Sequence, residues 1–287
     1  MFLFNKDFFN KYISFLEDHF WKVANDGGKN RITMMHQPGA GLSVNSIAKD
    51  IRKLKVVMNE AVEMDHTSNY EFRKGYFSYA EEDKDAVALS DKEIIRLYKF
   101  NLKGNKTLEQ VRDFFVFQSF VGLRYQDAST INPENIVEID GDIFIKTITQ
   151  KTNELVIIPC NPIVLEIFKK YESNPNRLPR AYANQVFNRY LKEVCRQAGF
   201  TEKGRLSTDP KKELWECTSS HTSRRSFATN LYLDGYPVNE IMKCTGHKTE
   251  KAFWKYIRVS KLDSAKRLLK HQKENWFQKI AQVEKAA

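Results

Sequence analysis

Apolar residues near the start of the chain recur at helical spacing. Phe8, Tyr12, Phe15 and His19 follow the spacing of one face of an amphipathic helix. A second apolar stripe comprises Ile47, Ile51, Leu54, Met58 and Ala61. Four basic residues crowd the remaining face of this second segment: Lys49, Arg52, Lys53 and Lys55. The pattern predicts a helical first domain over residues 1–75.

Periodicity stops after the second helix. Residues 65–87 read DHTSNYEFRKGYFSYAEEDKDAV, a polar, turn-forming stretch typical of a domain boundary. A chain of 287 residues, 41% of them hydrophobic, is long enough for two domains. We therefore expect a linker over residues 76–88 and a second domain over residues 89–287.

The second domain shows clear helix and strand signals. SDKE at Ser90–Glu93 and TLEQ at Thr107–Gln110 each predict a capped helix start, and the second of these helices ends at Gly122. The runs NIVEI, DIFIKTITQ and NELVIIP predict a small antiparallel meander, with Lys151 at the tip of its second turn. Beyond Pro162 the pattern is helical again, so the fold class is mainly α with a small antiparallel β-sheet (α+β).

The net charge of the chain indicates which kind of partner it binds. The formal charge is +10 and the pI about 9.2, which favours a polyanionic partner, with nucleic acid ahead of anionic membrane. The opening MFLFNKDFF is too short for a signal peptide or a membrane span, so we expect no membrane association. The basic face of the second helix fits a DNA contact and an ordinary solvated face equally well.

Four scattered cysteines form no CxxC pair, which argues against a disulfide framework or a zinc ribbon. Cys244 and His247 have a metal-like spacing, but no second ligand pair follows them. We expect no metal ion and no cofactor.

The segment SSHTSRRSFATNL contains His221, Arg224 and Arg225. If it is a helix capped by Ser219 or Ser220, residues three apart share a face, so His221 pairs with Arg224. Arg225 turns about 100° away and is predicted to contact the DNA backbone or solvent. Alone, this spacing is weak, because histidine and arginine often fall three apart by accident.

Two further motifs strengthen the interpretation that His221 and Arg224 belong to one functional site. VGLRYQDASTI places Arg124 two residues after Gly122, with Asp127 three residues further on to orient a partner side chain, and TGHKTEKAFWKYI places His247 nine residues before Tyr256. With Lys151 in the β-turn, the set resembles the active site of the tyrosine recombinases of the phage-integrase family. The likeness covers residues 89–257 by motif and extends more loosely to residues 1–75, which resemble that family's core-binding domain.

The resemblance implies a two-domain clamp around duplex DNA and a set of catalytic roles. Tyr256 would attack the scissile phosphate and form a 3′-phosphotyrosine, while Arg124 and Arg224 clamp the phosphate with planar forks of donors. Lys151 would protonate the leaving 5′ oxygen, although Lys146 in the neighbouring strand is a rival. The remaining roles go to His221, as proton acceptor from the tyrosine, and to His247, as hydrogen-bond donor to the phosphoryl group.

The resemblance also implies partners. We expect double-stranded DNA with a specific core site, a monomer when free, a homotetramer on paired sites and possible accessory DNA-bending proteins. The compartment would be the cytoplasm, at the nucleoid, and the host element a conjugative or mobilizable transposon. The chain starts too close to the core-binding helices to include an N-terminal arm-binding domain, so we expect a shortened integrase or a simple recombinase.

Residues after Leu262 predict a C-terminal helix with an apolar stripe of Ala265, Leu269, Trp276 and Ile280. In the resembled family such a helix docks on the neighbouring protomer, whereas the ordinary alternative is packing on its own domain. Two other functions remain open. One is a type IB topoisomerase, which reseals the same strand, and the other is a non-catalytic DNA-binding regulator.

Overall fold

A computed structural model describes residues 4–26, 29–82 and 85–286. Its helices are α1 Lys6–Asp18, α2 Val44–Glu63, α3 Asp91–Lys99, α4 Lys106–Val121, α5 Tyr125–Ser129, α6 Pro162–Lys170, α7 Asn184–Gln197, α8 Leu214–Cys217, α9 Ser220–Leu233, α10 Val238–Thr245, α11 Glu250–Trp254 and α12 Lys261–Ala286. Its strands are β1 His19–Asp26, β2 Lys29–His36, β3 Ile136–Ile139, β4 Asp142–Ile148 and β5 Leu155–Pro159. Short 3₁₀ turns cover Glu71–Arg73 and Pro133–Asn135. The predicted fold class, mainly α with small antiparallel sheets, is confirmed.

The chain divides into two compact units, residues 1–84 and 85–287. In the first unit, α1 begins at the Asn5 cap, whose side chain accepts a hydrogen bond from the Phe8 amide. Both predicted helices are present, and their apolar faces meet in one small core of Phe9, Ile47, Ile51, Met58, Phe72 and Phe77.

The first domain, predicted as helical, also contains an antiparallel hairpin, β1–β2, which separates α1 from α2. At His19 the backbone becomes extended, with φ −111° and ψ 139°. Helix α1 therefore ends there, and His19 does not continue the apolar face of the helix. The first unit also extends past residue 75, since Phe77 is completely buried in its core. Residues 83 and 84 of the predicted linker lie outside the described residues.

In the second unit, the predicted capping box at Ser90 and Glu93 is confirmed. The start of α4 differs from the TLEQ prediction, because Asn105 caps the helix through the Leu108 amide, at 3.2 Å. Helix α4 is buried on nearly every side and ends at Gly122, whose φ of 67° is left-handed. It forms the centre of the large core, and α3, α6, α7 and α9 pack against it.

The meander is confirmed as a three-stranded sheet in the order β3-β4-β5. Ile148 pairs with Leu155 at the end of the β4–β5 ladder, so Lys151 lies in the intervening turn.

Helix α12 follows the segment that contains Tyr256. Four of its apolar side chains are more than half exposed: Leu262, Leu268, Leu269 and Phe277. Across the described ranges, none of the helices is both long enough and apolar enough to span a bilayer.

Candidate active site

Helix α9 carries three of the predicted site residues. It begins at Ser220 and is capped by Ser219, one of the two caps that the sequence predicted, in a capping box with Thr222. From this start His221 is exposed, Arg224 is completely buried and Arg225 is half-buried. The two arginines therefore point in different directions, and only Arg224 enters the centre of the unit.

Arg224 joins the ends of two other helices. Its Nη1 donates to the carbonyl of Gly122 after α4, at 2.7 Å, and its Nη2 donates to the carbonyl of Thr245 at the end of α10, also at 2.7 Å. Carbonyls at helix C-termini carry partial negative charge and suit a guanidinium. The Arg224 side chain thus joins Gly122–Arg124, the G-L-R motif, to Gly246–His247, the G-H motif.

His247 is buried in the same cluster. Its Nε2 lies 3.0 Å from Arg224 Nη2, and its Nδ1 lies 2.7 Å from Thr245 Oγ1. Thr245 Oγ1 donates to the Ile241 carbonyl, so Nδ1 carries the ring hydrogen and Nε2 accepts from the arginine. Burial first, then the charges of Arg224 and Arg124, lower the pKa of His247 to about 3.

A neutral His247 bonded in this way has no N–H left for a phosphate. The predicted role, donation to the phosphoryl group, therefore requires the ring to exchange Thr245 for the substrate or to change tautomer. In the present arrangement the ring instead supports Arg224 and lies against Tyr256, with ring centroids 4.8 Å apart.

Tyr256 follows the short helix α11. Its ring lies 5.2 Å from the Arg224 guanidinium carbon, and its backbone accepts a hydrogen bond from Thr229 of α9. Burial first, and then the charge of Arg124, lower the pKa of Arg224, and the neighbouring Tyr256 partly offsets this effect. The tyrosine is therefore held beside the arginine and histidine of its own chain.

Arg124 and Asp127 form an ion pair close to this cluster. Arg124 Nη1 lies 3.8 Å from Asp127 Oδ2, while Asp127 Oδ1 accepts the backbone N–H of Gln150 at 2.9 Å. Within the described residues, Arg124 Nη1 and Arg224 Nε are buried donors with no hydrogen-bond partner. Buried donors of this kind normally have an acceptor, and a phosphate oxygen would supply one.

His221 lies near four cationic side chains. Partial burial lowers the pKa of His221, and Arg225, Arg224, Arg124 and Lys151 lower it further. Lys151 itself is exposed in its turn. The structure thus brings the six predicted catalytic residues into one region, although among the described contacts His221 makes no hydrogen bond to Tyr256.

Sequence reasoning missed several residues of this region. Thr245 fixes the tautomer of His247, and Thr152 bonds to the Gly246 carbonyl at 3.1 Å. Burial first, and then the charge of Arg258, lower the pKa of Arg225, so Arg225 has a cationic neighbour two residues after Tyr256. The sequence shows that Thr152 is next to Lys151. The contacts of these residues could not be predicted, because they depend on tertiary packing.

The four basic residues of α2 lie in the other unit. Arg52 pairs with Glu81, and Lys53 pairs with Asp50 at 2.9 Å. Lys49 is exposed and Lys55 is half-buried. Half of this predicted DNA-binding set is therefore engaged with acids of its own unit, which weakens its net positive charge.

Among the residues described, no three His, Cys, Asp or Glu side chains form a group able to hold a metal ion.

The profile of the Phage integrase family matches residues 88–262, more than half of the chain. The tyrosine recombinase XerD of Staphylococcus saprophyticus subsp. saprophyticus is 29% identical over 143 residues, which cover 49% of this chain and 47% of that protein. The chain thus spans about half the length of the curated relative it matches.

Two solved structures share the fold. The Tn1549 transposon integrase in complex with circular intermediate DNA has a TM-score of 0.56 and 19% identity, with 80% of each chain covered. A lambda integrase dimer bound to a COC' core site has a TM-score of 0.57 and 16% identity, with 76% of this chain and 74% of that chain covered.

Proposed function

Because the chain belongs to the phage integrase family, we propose that it is a site-specific DNA recombinase that cuts and rejoins strands through a 3′-phosphotyrosine at Tyr256. One observation carries the proposal. Tyr256 lies against Arg224 and His247, beside buried arginine donors of Arg124 and Arg224 that have no partner among the described residues. A nucleophile next to unsatisfied phosphate ligands is the arrangement that phosphoryl transfer requires.

The proposed reaction is a transesterification. The Tyr256 oxygen attacks the scissile phosphorus and passes its proton to His221, which its lowered pKa keeps neutral at pH 7. Arg124 and Arg224 stabilise the charge on the non-bridging oxygens. The bond from phosphorus to the 5′ oxygen breaks, and Lys151 protonates that oxygen. Attack by another strand's 5′ hydroxyl reverses these steps, so no ATP is consumed.

The proposed substrate is duplex DNA with a specific core site. The formal charge of +10 favours a polyanion, and two structures with the same fold were solved on DNA, one of them a transposon integrase. Those likenesses support an element-encoded integrase, and we propose that DNA-bending proteins assist it in the cell. Lys49, Arg225 and the other basic residues predicted from sequence remain proposed DNA contacts.

We further propose that α12 joins protomers into a tetramer that forms a Holliday junction. Its apolar residues Leu268, Leu269 and Phe277 are exposed, so the alternative of packing fully on its own domain receives no support. A cleft of about 340 Å³ in the same unit combines apolar Phe227 and Leu231 with acidic Asp234 and Glu240. Its chemistry complements a helix with exposed leucines and lysines. A topoisomerase would need no such contact.

Covalent trapping tests the proposal. A library of nicked duplexes with randomised cores loses a short fragment upon cleavage, so the attached protein cannot religate and the DNA it chose can be sequenced. We expect the wild-type chain to give a covalent band on a denaturing gel in the presence of EDTA. Tyr256→Phe should give none, although it binds the same duplex. A covalent band from the Phe variant, or a magnesium requirement, would refute the mechanism.

A further inference from the structure

The turn that carries Lys151 is closed by its own hydrogen bonds. The Thr149 amide donates to the Glu154 carbonyl and the Asn153 amide donates to the Thr149 carbonyl, each at 2.9 Å. Asn153 adopts a left-handed φ of 51°, which asparagine tolerates better than most residues. The backbone around Lys151 is therefore held by hydrogen bonds within the turn itself.

Thr152 attaches this turn to the G-H motif. Its hydroxyl donates to the Gly246 carbonyl at 3.1 Å and lies 2.7 Å from the Thr149 hydroxyl. Since the Thr152 hydrogen goes to the carbonyl, Thr149 donates to Thr152. A Cβ on Gly246 would meet the Thr149 methyl at 3.2 Å, so the two loops are in close packing contact as well.

Two further contacts hold the same turn. Asp127 accepts the amide of Gln150, the residue before Lys151, at 2.9 Å, and Lys248 pairs with Glu154 at 3.1 Å. Lys151 thus lies between one anchor to the Arg124 segment and one to the His247 segment. The Glu154 pair is exposed and contributes little, whereas the Thr152 bond adjoins the catalytic lysine directly.

We propose that Thr152 is a positioning residue, whose hydroxyl holds the Lys151 turn against the G-H loop so that the lysine ammonium reaches the leaving 5′ oxygen. This inference rests on the proposed function of Lys151. Loss of the bond should allow the exposed lysine to sample positions away from the leaving group. Misplacement of a catalytic group by about 1 Å can cost roughly 10²-fold in rate.

The test uses the full chain and a nicked duplex captured by the wild-type protein, made in two forms. One has the normal 5′ oxygen at the scissile phosphate, and the other has sulfur in its place. A thiol has a pKa of about 8.5, so the sulfur leaves as thiolate without a proton donor. A defect confined to proton donation should therefore disappear on the sulfur substrate, whereas a defect of folding or phosphate clamping should persist.

We expect Thr152→Val to cleave the oxygen substrate about tenfold more slowly, within the range for a misplaced catalytic group, and to approach the wild-type rate on sulfur. Thr152→Ser, which keeps the hydroxyl, should resemble the wild type on both. Thr147→Val is the matched control, because the Thr147 side chain in β4 makes no hydrogen bond among the described residues. It should be unaffected.

The outcomes separate this inference from the proposed function. If Lys151→Ala is not restored by sulfur, Lys151 is not the proton donor and its proposed role fails. If Lys151→Ala is restored but Thr152→Val is not, Thr152 acts only in structure and the inference is overturned. It is equally overturned if Thr152→Val cleaves oxygen DNA normally, or if Thr152→Ser is as slow as Thr152→Val.

Discussion

Arg224 combines structural and proposed catalytic roles in one side chain. It is the largest completely buried side chain described, and it donates to carbonyls at the ends of α4 and α10. Its Nε has no partner among the described residues. A buried arginine is costly unless its donors are satisfied, so a phosphate that completes the set should also stabilise the fold.

Arg124→Lys and Arg224→Lys should each lower the rate of covalent trapping by about 10²-fold or more, because lysine cannot reproduce the planar fork. Arg225→Lys should lower it far less, since Arg225 lies to the side of Arg224. Single-turnover trapping rates measure the effect, with thermal unfolding to confirm that each variant is folded. Equal losses at positions 224 and 225 would contradict the assignment of Arg224 to the clamp.

His247 should make stability depend on pH. Its pKa is about 3 in the folded chain against 6.5 ordinarily, so below pH 6.5 the unfolded chain binds the extra proton first. The free energy of unfolding should therefore fall as pH decreases from 6.5 towards 3, by an amount on the order of a few kcal/mol. Urea titrations of wild type and His247→Asn measure this difference. An identical pH slope in both proteins would show that His247 is not held neutral by burial.

At the scale of elements, the crossing of α4 and α9 depends on Gly122. Its left-handed φ ends α4, its carbonyl accepts Arg224, and a Cβ there would meet the Phe227 ring at 2.3 Å. Gly199 after α7 is a matched control, with φ 75° and nothing near a Cβ. Both positions share the backbone requirement, but only Gly122 has the close contact.

Gly199→Ala should lower the free energy of unfolding by about 1–2 kcal/mol from backbone strain alone. Gly122→Ala should lower it by about 1–3 kcal/mol more, because the methyl group displaces Phe227. It should also slow cleavage through the shifted Arg224 carbonyl contact. Denaturant unfolding measures both variants, and equal losses would mean that α9 tolerates the displacement.

Local signals predicted much of this fold. Capping residues marked the starts of α3 and α9, Gly122 marked the end of α4, and β-branched runs with turn residues marked the meander, because these patterns act within a few positions. The hairpin β1–β2 was missed because the aromatic residues around His19 continue the helical spacing of α1 for one more turn. The bond from Asp127 to the Gln150 amide was also invisible, since it joins positions far apart in sequence.

At the scale of the whole molecule, α12 distinguishes strand exchange from simple cutting. Arg267 lies over the Tyr232 ring at 4.4 Å, which fixes the start of α12 on its own unit, while the apolar residues beyond it are exposed. A helix that is anchored at one end and exposed along the rest suits a contact with a second copy.

Deletion of residues 262–287 should leave the chain folded and able to form the covalent complex on a single half-site. It should abolish Holliday-junction formation between two full sites, which native gels with captured DNA would show. Asp234→Lys combined with Glu240→Lys should cause a similar loss if the acidic cleft receives α12. Normal recombination by the truncated chain would exclude the tail contact, and normal recombination by the charge-reversed chain would exclude this cleft.

Identification of the attached residue tests the central claim most directly. The covalent complex of the wild-type chain can be digested with nuclease and protease, and the peptides sequenced by mass spectrometry. We predict one nucleotide-bearing peptide from the segment between Lys251 and Arg258, with a phosphodiester on the Tyr256 oxygen and a 3′-linked nucleotide. A nucleotide on another residue, or a 5′ linkage at Tyr256, would contradict the proposed mechanism.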